Sequence, residues 1–128
     1  MIVEPYKLPY KQTIKNDLET KQKIVGGLIE VTSLLDDEDV ALICNEEGKM
    51  YGMPLNRDIG YDIIAGTFII AGEVDEEGEF TSLTEEQIEK YKNRFNQKSI
   101  ADTEAKVTAI LLKNKIKNDK DLYEGGLI

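Results

Sequence analysis

At 128 residues with 41% apolar side chains, the chain can form one domain with its own core, and no disulfide or metal staple is needed. It has no histidine and one cysteine, which excludes histidine-based nucleophilic mechanisms, histidine-ligated zinc or iron, and an intramolecular disulfide framework. The net charge of −9 is unevenly placed, because residues 30–89 hold 17 Asp and Glu against only Lys49 and Arg57.

The first fourteen residues read as a short extended segment interrupted by Pro5 and Pro9, as expected of a sheet edge. Asn16 and Glu19 form a capping-box pattern, and Gly26-Gly27 supplies a left-handed stop. A helix is therefore predicted over about 17–25, with Leu18 and Val25 on one face and Lys21, Gln22 and Lys23 outward. Residues 28–35 are β-branched and aliphatic and predict a strand. They lead into Asp36-Asp37-Glu38-Asp39, read as a solvated turn because four like charges in a row do not suit a core. Val40 to Cys44 is a continuous apolar run, typical of a strand buried on both faces and paired with the one before it. Cys44 is accordingly read as a buried strand residue, in acidic surroundings that do not favour a thiolate.

Residues 50–61 read as irregular, with Gly52, Pro54 and Gly60. Residues 63–71 predict a further strand, with Gly66 marking a bulge or a close approach. After an acidic loop comes the best helix signal: Thr84 and Gln87 make a capping box, Leu83 and Ile88 a hydrophobic staple. Ile88, Tyr91 and Phe95 then give one buried face. A third helix is predicted over about 100–117. Its stripe is Ala101, Ala105, Ala109, Leu112 and Ile116, widened by Val107 and Leu111, and a tail with Gly125-Gly126 follows. The expected fold class is α/β (α+β), a small mixed or antiparallel sheet of about four strands with two or three helices mainly on one face. Residues 1–95 are expected to form the domain, and 96–128 a C-terminal helix and tail.

Chemistry-bearing residues concentrate in one segment. Asn56, Arg57, Tyr61 and Asp62 combine an amide, the only cation between Lys49 and Lys90, a phenol and a carboxylate. They are the candidate ligand-binding group, since a guanidinium fork suits a carboxylate or phosphate. The competing reading gives Arg57 a structural ion pair with Asp58 or Asp62. The acidic residues Glu73, Asp75, Glu76, Glu77 and Glu79, with Asp36, Asp37, Glu38 and Asp39, are the candidate partner-binding group. A concentrated field of one sign steers a basic partner and repels other anions. Asp75-Glu76-Glu77-Gly78-Glu79 lacks the alternating ligands of a calcium loop, so no metal is assigned. No phosphate-cradling glycine motif is present, no residue is put forward as catalytic, and no cofactor is expected. Lys106, Lys113, Lys115, Lys117 and Lys120 give the third helix a basic side without aromatic neighbours, which does not suit direct nucleic-acid binding. No window approaches a membrane span and no basic-then-apolar leader is visible, so a cytoplasmic location is expected.

Several blocks occur in a recognisable order. They are Val3-Glu4-Pro5, Val25-Gly26-Gly27 before Ile29-Glu30-Val31, and the run from Ala41 to Lys49. Pro54-Leu55-Asn56-Arg57, the run from Tyr61 to Phe68, and Phe80-Thr81-Ser82-Leu83 follow. Together, over about residues 1–95, they resemble the family called domain of unknown function 3846. The resemblance implies a setting in phages, plasmids and conjugative elements and carries over no catalytic residue. The family's most distinctive polar positions correspond here to Asn56, Arg57, Tyr61 and Asp62. In that setting a small acidic protein is expected to bind a protein partner, with a basic nucleic-acid-binding protein of host defence or DNA processing foremost. A homo-oligomer through the C-terminal helix is the further expectation.

Overall fold

A computed structural model describes residues 1–34 and 36–124. The elements in chain order are β1 (Ile2–Val3), α1 (Leu18–Val25), β2 (Ile29–Leu34), β3 (Asp37–Asn45), β4 (Leu55–Asp58), β5 (Ile63–Ala65), β6 (Phe68–Gly72), α2 (Glu85–Arg94) and α3 (Gln97–Glu124). Four strands form an antiparallel sheet in the order β1-β6-β3-β2, and β4 and β5 form a second, two-stranded antiparallel sheet. The fold is thus α+β.

The period-2 alternation of β3 and β6 explains the layering. Val40, Leu42 and Cys44 of β3 and Phe68 and Ile70 of β6 face one side, where they meet Ile88, Tyr91 and Phe95 of α2 and Ile59 and Ile64 of the small-sheet region. Phe95 stands edge-on to Phe68 with ring centroids 5.5 Å apart. Ile43 and Ile69 face the other side and pack on Val25 of α1, with Ile14, Ile24 and Phe80 around them. Helices therefore cover both faces: α2 lies on one, α1 on the other, and α3 leans on β4.

Local signals hold where they depend on near neighbours. The capping box of α2 forms with both bonds between Thr84 and Gln87 in place, and Gly26 closes α1 at φ +83°. The cap of α1 lies one residue beyond the expected one. The Asp17 carboxylate, not Asn16, accepts from the Thr20 N–H at 2.7 Å, while Asn16 reaches across to the Phe80 carbonyl at 3.0 Å. Leu18 is exposed rather than sharing a face with Val25, and Lys21 is buried rather than outward. Its ammonium donates to Asn16 Oδ1 at 2.7 Å and stands 4.9 Å from the centroid of the Phe80 ring, so a lysine stem fills apolar space here.

The predicted strand over 63–71 is two strands. Gly66, at φ +80°, turns the chain between β5 and β6, and a Cβ there would meet Met53 Sδ at 2.8 Å. The stretch 50–61, expected to be irregular, contains β4. The third helix starts earlier and runs further than expected, so residues 118–124 belong to α3 rather than to a tail, and Gly125-Gly126 lies outside the described residues. Its expected apolar stripe is also outward. Ile100 and Thr103 are buried and Val107 half-buried, while Ala101, Ala105, Ala109, Leu112 and Ile116 are exposed.

Candidate functional site

Asn56 and Arg57 are the buried residues of β4, and their polar atoms all point into the protein. Asn56 Nδ2 donates to the Val3 carbonyl at 2.8 Å and the Gly66 carbonyl at 2.9 Å, joining the end of β1 to the β5–β6 turn. Its Oδ1 accepts from Arg57 Nη1 at 2.7 Å. The Arg57 side chain is fully buried, at 0% exposure. Nε donates to Ser99 Oγ at 3.0 Å, Nη1 also reaches the Asn56 carbonyl at 3.3 Å, and Nη2 donates to the carbonyls of Lys7 at 2.7 Å and Phe95 at 3.2 Å. One side chain thus ties β4 to the N-terminal segment, the end of α2 and the first turn of α3.

The expected ion pair of Arg57 with Asp58 or Asp62 does not form, since Asp58 pairs with Lys106 at 2.7 Å and Asp62 with Lys49. Burial lowers the Arg57 pKa from its ordinary value. Carbonyl dipoles take the place of a carboxylate, and Phe95 is the C-cap of α2, where the helix dipole concentrates negative potential. The Lys7 contact also secures the turn at Tyr6, whose φ of +64° is unusual for a residue with a side chain.

Tyr61 and Asp62 do not join this cluster. The Tyr61 hydroxyl lies on the edge strand β2, 2.9 Å from the Ser33 carbonyl and 3.2 Å from Thr32 Oγ1. Asp62 is exposed and accepts from Lys49 and from the Ile63 N–H. The four sequence candidates therefore divide into a buried structural pair and two surface residues, and form no common site.

The acidic residues divide as well. Asp36 binds Arg94 at 2.8 Å, and Asp37 accepts from Lys90 at 2.9 Å and from the Tyr91 hydroxyl. The run 36–39 is thus not simply a solvated turn, because Asp37 starts β3 and is drawn against α2. The Tyr91 hydrogen bond is the main cause holding the Asp37 carboxyl below its ordinary value, with Lys90 next. Burial, then Asp37, raises Tyr91. Asp39 is exposed, and the Glu38 side chain lies outside the described residues.

The segment 73–79 is different. All its residues are exposed, and among the described residues none of its five carboxylates enters an ion pair. It is nevertheless ordered by its own backbone. Asp75 Oδ1 accepts from the N–H groups of Glu77 and Glu79, both at 2.9 Å. Gly78 adopts φ +83°, and Val74 bridges Phe80 across the turn. Asp75 is the residue that builds the turn, and Glu73, Glu76, Glu77 and Glu79 are the charges displayed on it.

Other chemistry is sparse. Burial, with Glu30 and Asp62 nearby, pushes the Cys44 thiol up to about 11, so it is thiol rather than thiolate at neutral pH. A cavity of about 280 Å3 lies between residues 11–14 and the α1 face of the sheet, lined among others by Ile14, Lys21, Ile43, Ile69 and Phe80. Among the described residues no buried side-chain nitrogen or oxygen lacks a hydrogen-bond partner, and no three Cys, Asp or Glu residues are grouped so as to hold a metal ion. No described helix is long and apolar enough to cross a membrane.

The family model for the domain of unknown function DUF3846 matches residues 1–96, three quarters of the chain. The chain belongs to the DUF3846 family. No curated protein and no solved structure matches it. The DUF3846 match stops between α2 and α3, one residue after Phe95, whose carbonyl receives Arg57, and three before Ser99, which receives the same guanidinium.

The burial of Lys21 and the pairing of Asp37 with Tyr91 were missed by sequence reasoning. Asp37 carries no local signal because its partners lie on α2, more than 50 residues away, and Lys21, although its ammonium is held by nearby Asn16 and Asp17, meets the remote Phe80 ring.

Proposed function

We propose that this DUF3846 protein is a non-catalytic accessory protein of a phage or other mobile element that binds a protein partner through its acidic turn at residues 73–79. The partner is a basic, nucleic-acid-binding protein of host defence or DNA processing, whose function the binding modulates or blocks. The observation that carries this reading is the contrast between the two acidic runs. Asp36 and Asp37 are held by Lys90, Tyr91 and Arg94, whereas the four glutamates at 73, 76, 77 and 79 are displayed on a turn that Asp75 orders and meet no cation among the described residues, Glu79 accepting only from the neutral Asn16 amide at 3.3 Å. Preorganised unpaired charge favours fast, electrostatically steered association with a cationic surface. The mobile-element setting rests on the family resemblance.

The alternative of a nucleotide or small-ligand site at Asn56 and Arg57 is less favoured: Asn56 borders a cavity of about 270 Å3, but every guanidinium donor and the Asn56 amide already have protein partners. The deciding experiment compares what the protein retains from a bacterial host lysate at low and at high salt with a variant carrying Gln at 73, 76, 77 and 79. Asp75 is left intact so that the turn survives. A basic protein held by the wild type at low salt, released at high salt and lost by the variant is expected, since exposed charges are screened within about 8 Å at physiological ionic strength. Equal retention by both proteins would remove the proposal.

A further inference from the structure

The cavity between residues 11–14 and the α1 face of the sheet is lined unlike the rest of this protein. The chain carries 25 Asp and Glu, yet no carboxylate residue lines this cavity. Its charged side chains are Lys11 and Lys21, and its apolar wall includes Ile14, Ile43, Ile69 and Phe80. Met1 also borders it, with its amine turned to the Ile70 carbonyl at 2.9 Å.

The two lysines differ. Lys11 is exposed and already paired with Glu85 at 3.0 Å. Lys21 is only 6% exposed and enters no ion pair among the described residues. A lysine this buried ordinarily has a counter-charge, because desolvating a lone ammonium is costly. Here its partners are neutral: Asn16 Oδ1 at 2.7 Å, the Asp17 carbonyl at 3.3 Å and the face of the Phe80 ring. The Asp17 carboxylate feels this charge, but its Oδ1 caps α1 through the Thr20 N–H. An ammonium has three donors, so one meets no protein oxygen. Asn16 is itself fixed, with Nδ2 donating to the Phe80 carbonyl at 3.0 Å and to Glu79 at 3.3 Å, so the charge is held in place before any ligand arrives.

We propose that this cavity binds a small organic monocarboxylate with an apolar body. The carboxylate meets the Lys21 ammonium, and the hydrocarbon lies against Ile14, Ile43, Ile69 and Phe80. One unpaired ammonium matches one negative charge. A phosphate dianion would call for the converging donors of an Arg fork or a glycine loop, and neither lines the cavity. At about 280 Å3 the space is at the small end of ligand pockets, which suits one ring or a short chain rather than a nucleotide.

The test titrates the nitrogen-labelled full chain with phenylpropionate and with octanoate, each beside its neutral amide, and follows backbone amide NMR shifts. Shifts centred on Ile14, Lys21, Ile43, Ile69 and Phe80 are expected, with the neutral amides binding about tenfold or more weakly. Lys21→Met keeps the stem and the acidic turn and is expected to bind acid and amide alike. Failure of both acids to bind at millimolar concentration would overturn the proposal. So would equal binding of acid and amide by the wild type, or shifts centred elsewhere. A folded Lys21→Met protein that still prefers the acids would overturn it as well, and the wild-type comparison decides even where that variant does not fold.

Discussion

Replacing Arg57 by Met keeps most of the aliphatic volume and removes the guanidinium, and the structure sets the expected loss. Five contacts go: Ser99 Oγ, the Asn56 carbonyl and Oδ1, and the carbonyls of Lys7 and Phe95. Ser99 still donates to Asn96, and Lys7 is exposed, so water can serve its carbonyl. Asn56 Oδ1 and the Phe95 carbonyl lose their donor inside the protein, at about 1–3 kcal/mol each. The segment around Tyr6 also loses its anchor. Against this, the variant no longer buries a charge, which returns part of the desolvation cost. The balance is a loss of about 2–4 kcal/mol, or roughly 8–16 °C in melting temperature for a chain of this size. Arg57→Lys is expected to recover only a minor part, because one ammonium cannot span acceptors on four segments. Urea unfolding of the three proteins at pH 7 is the assay. If Arg57→Met lies within about 1 kcal/mol of the wild type, or above it, the guanidinium is not what joins these elements. A ligand role for Arg57 would then return.

Tyr91→Phe removes the hydroxyl that holds Asp37 and is expected to cost about 1–2 kcal/mol at pH 7. Because the folded Asp37 carboxyl is held below its unfolded value, this contribution is present above about pH 4 and fades as pH falls through the folded pKa. The gap between variant and wild type in urea melts should therefore narrow at low pH, and a constant gap would refute the link. Gly66→Ala forces a side chain into a left-handed turn and against Met53, so a loss of about 1–3 kcal/mol is expected by the same melts, and a neutral result would contradict the turn geometry. With its pKa near 11, Cys44 should be about one part in a thousand thiolate at pH 8. Disulfide-reagent labelling should follow unfolding as urea rises, and fast labelling of the native protein would show the thiol to be accessible.

What was legible in the sequence was whatever a short stretch decides alone. The Thr84–Gln87 box, the Gly26 stop, the apolar run of β3 and the spacing of Ile88, Tyr91 and Phe95 each declare an element and its buried side. β4 was hidden for a physical reason: its two buried residues are Asn56 and Arg57, so the usual alternation of apolar and polar residues is absent. The same inversion made them look like a ligand site, because buried polar residues that join elements and polar residues that bind a ligand share one composition. Only the destinations of their hydrogen bonds tell them apart. Lys21 and Asp37 follow this rule in reverse, as surface-type residues taken inward by remote partners. In α3 the apolar stripe is legible but what it packs on is not, and the domain holds the opposite side of the helix, at Ile100, Thr103 and Val107.

The edge strand β2 bears on how the protein behaves when abundant. An open strand edge is a template for adding further chains, and a concentrated sheet protein risks assembling into insoluble ribbons through it. Here a register break between Ser33 and Leu34 bends the strand, Glu30 places a charge on it, and the Tyr61 hydroxyl occupies the Ser33 carbonyl. Tyr61 therefore acts as a guard on the sheet, and its loss should show first in solubility during overproduction rather than in the melting temperature of the dilute protein.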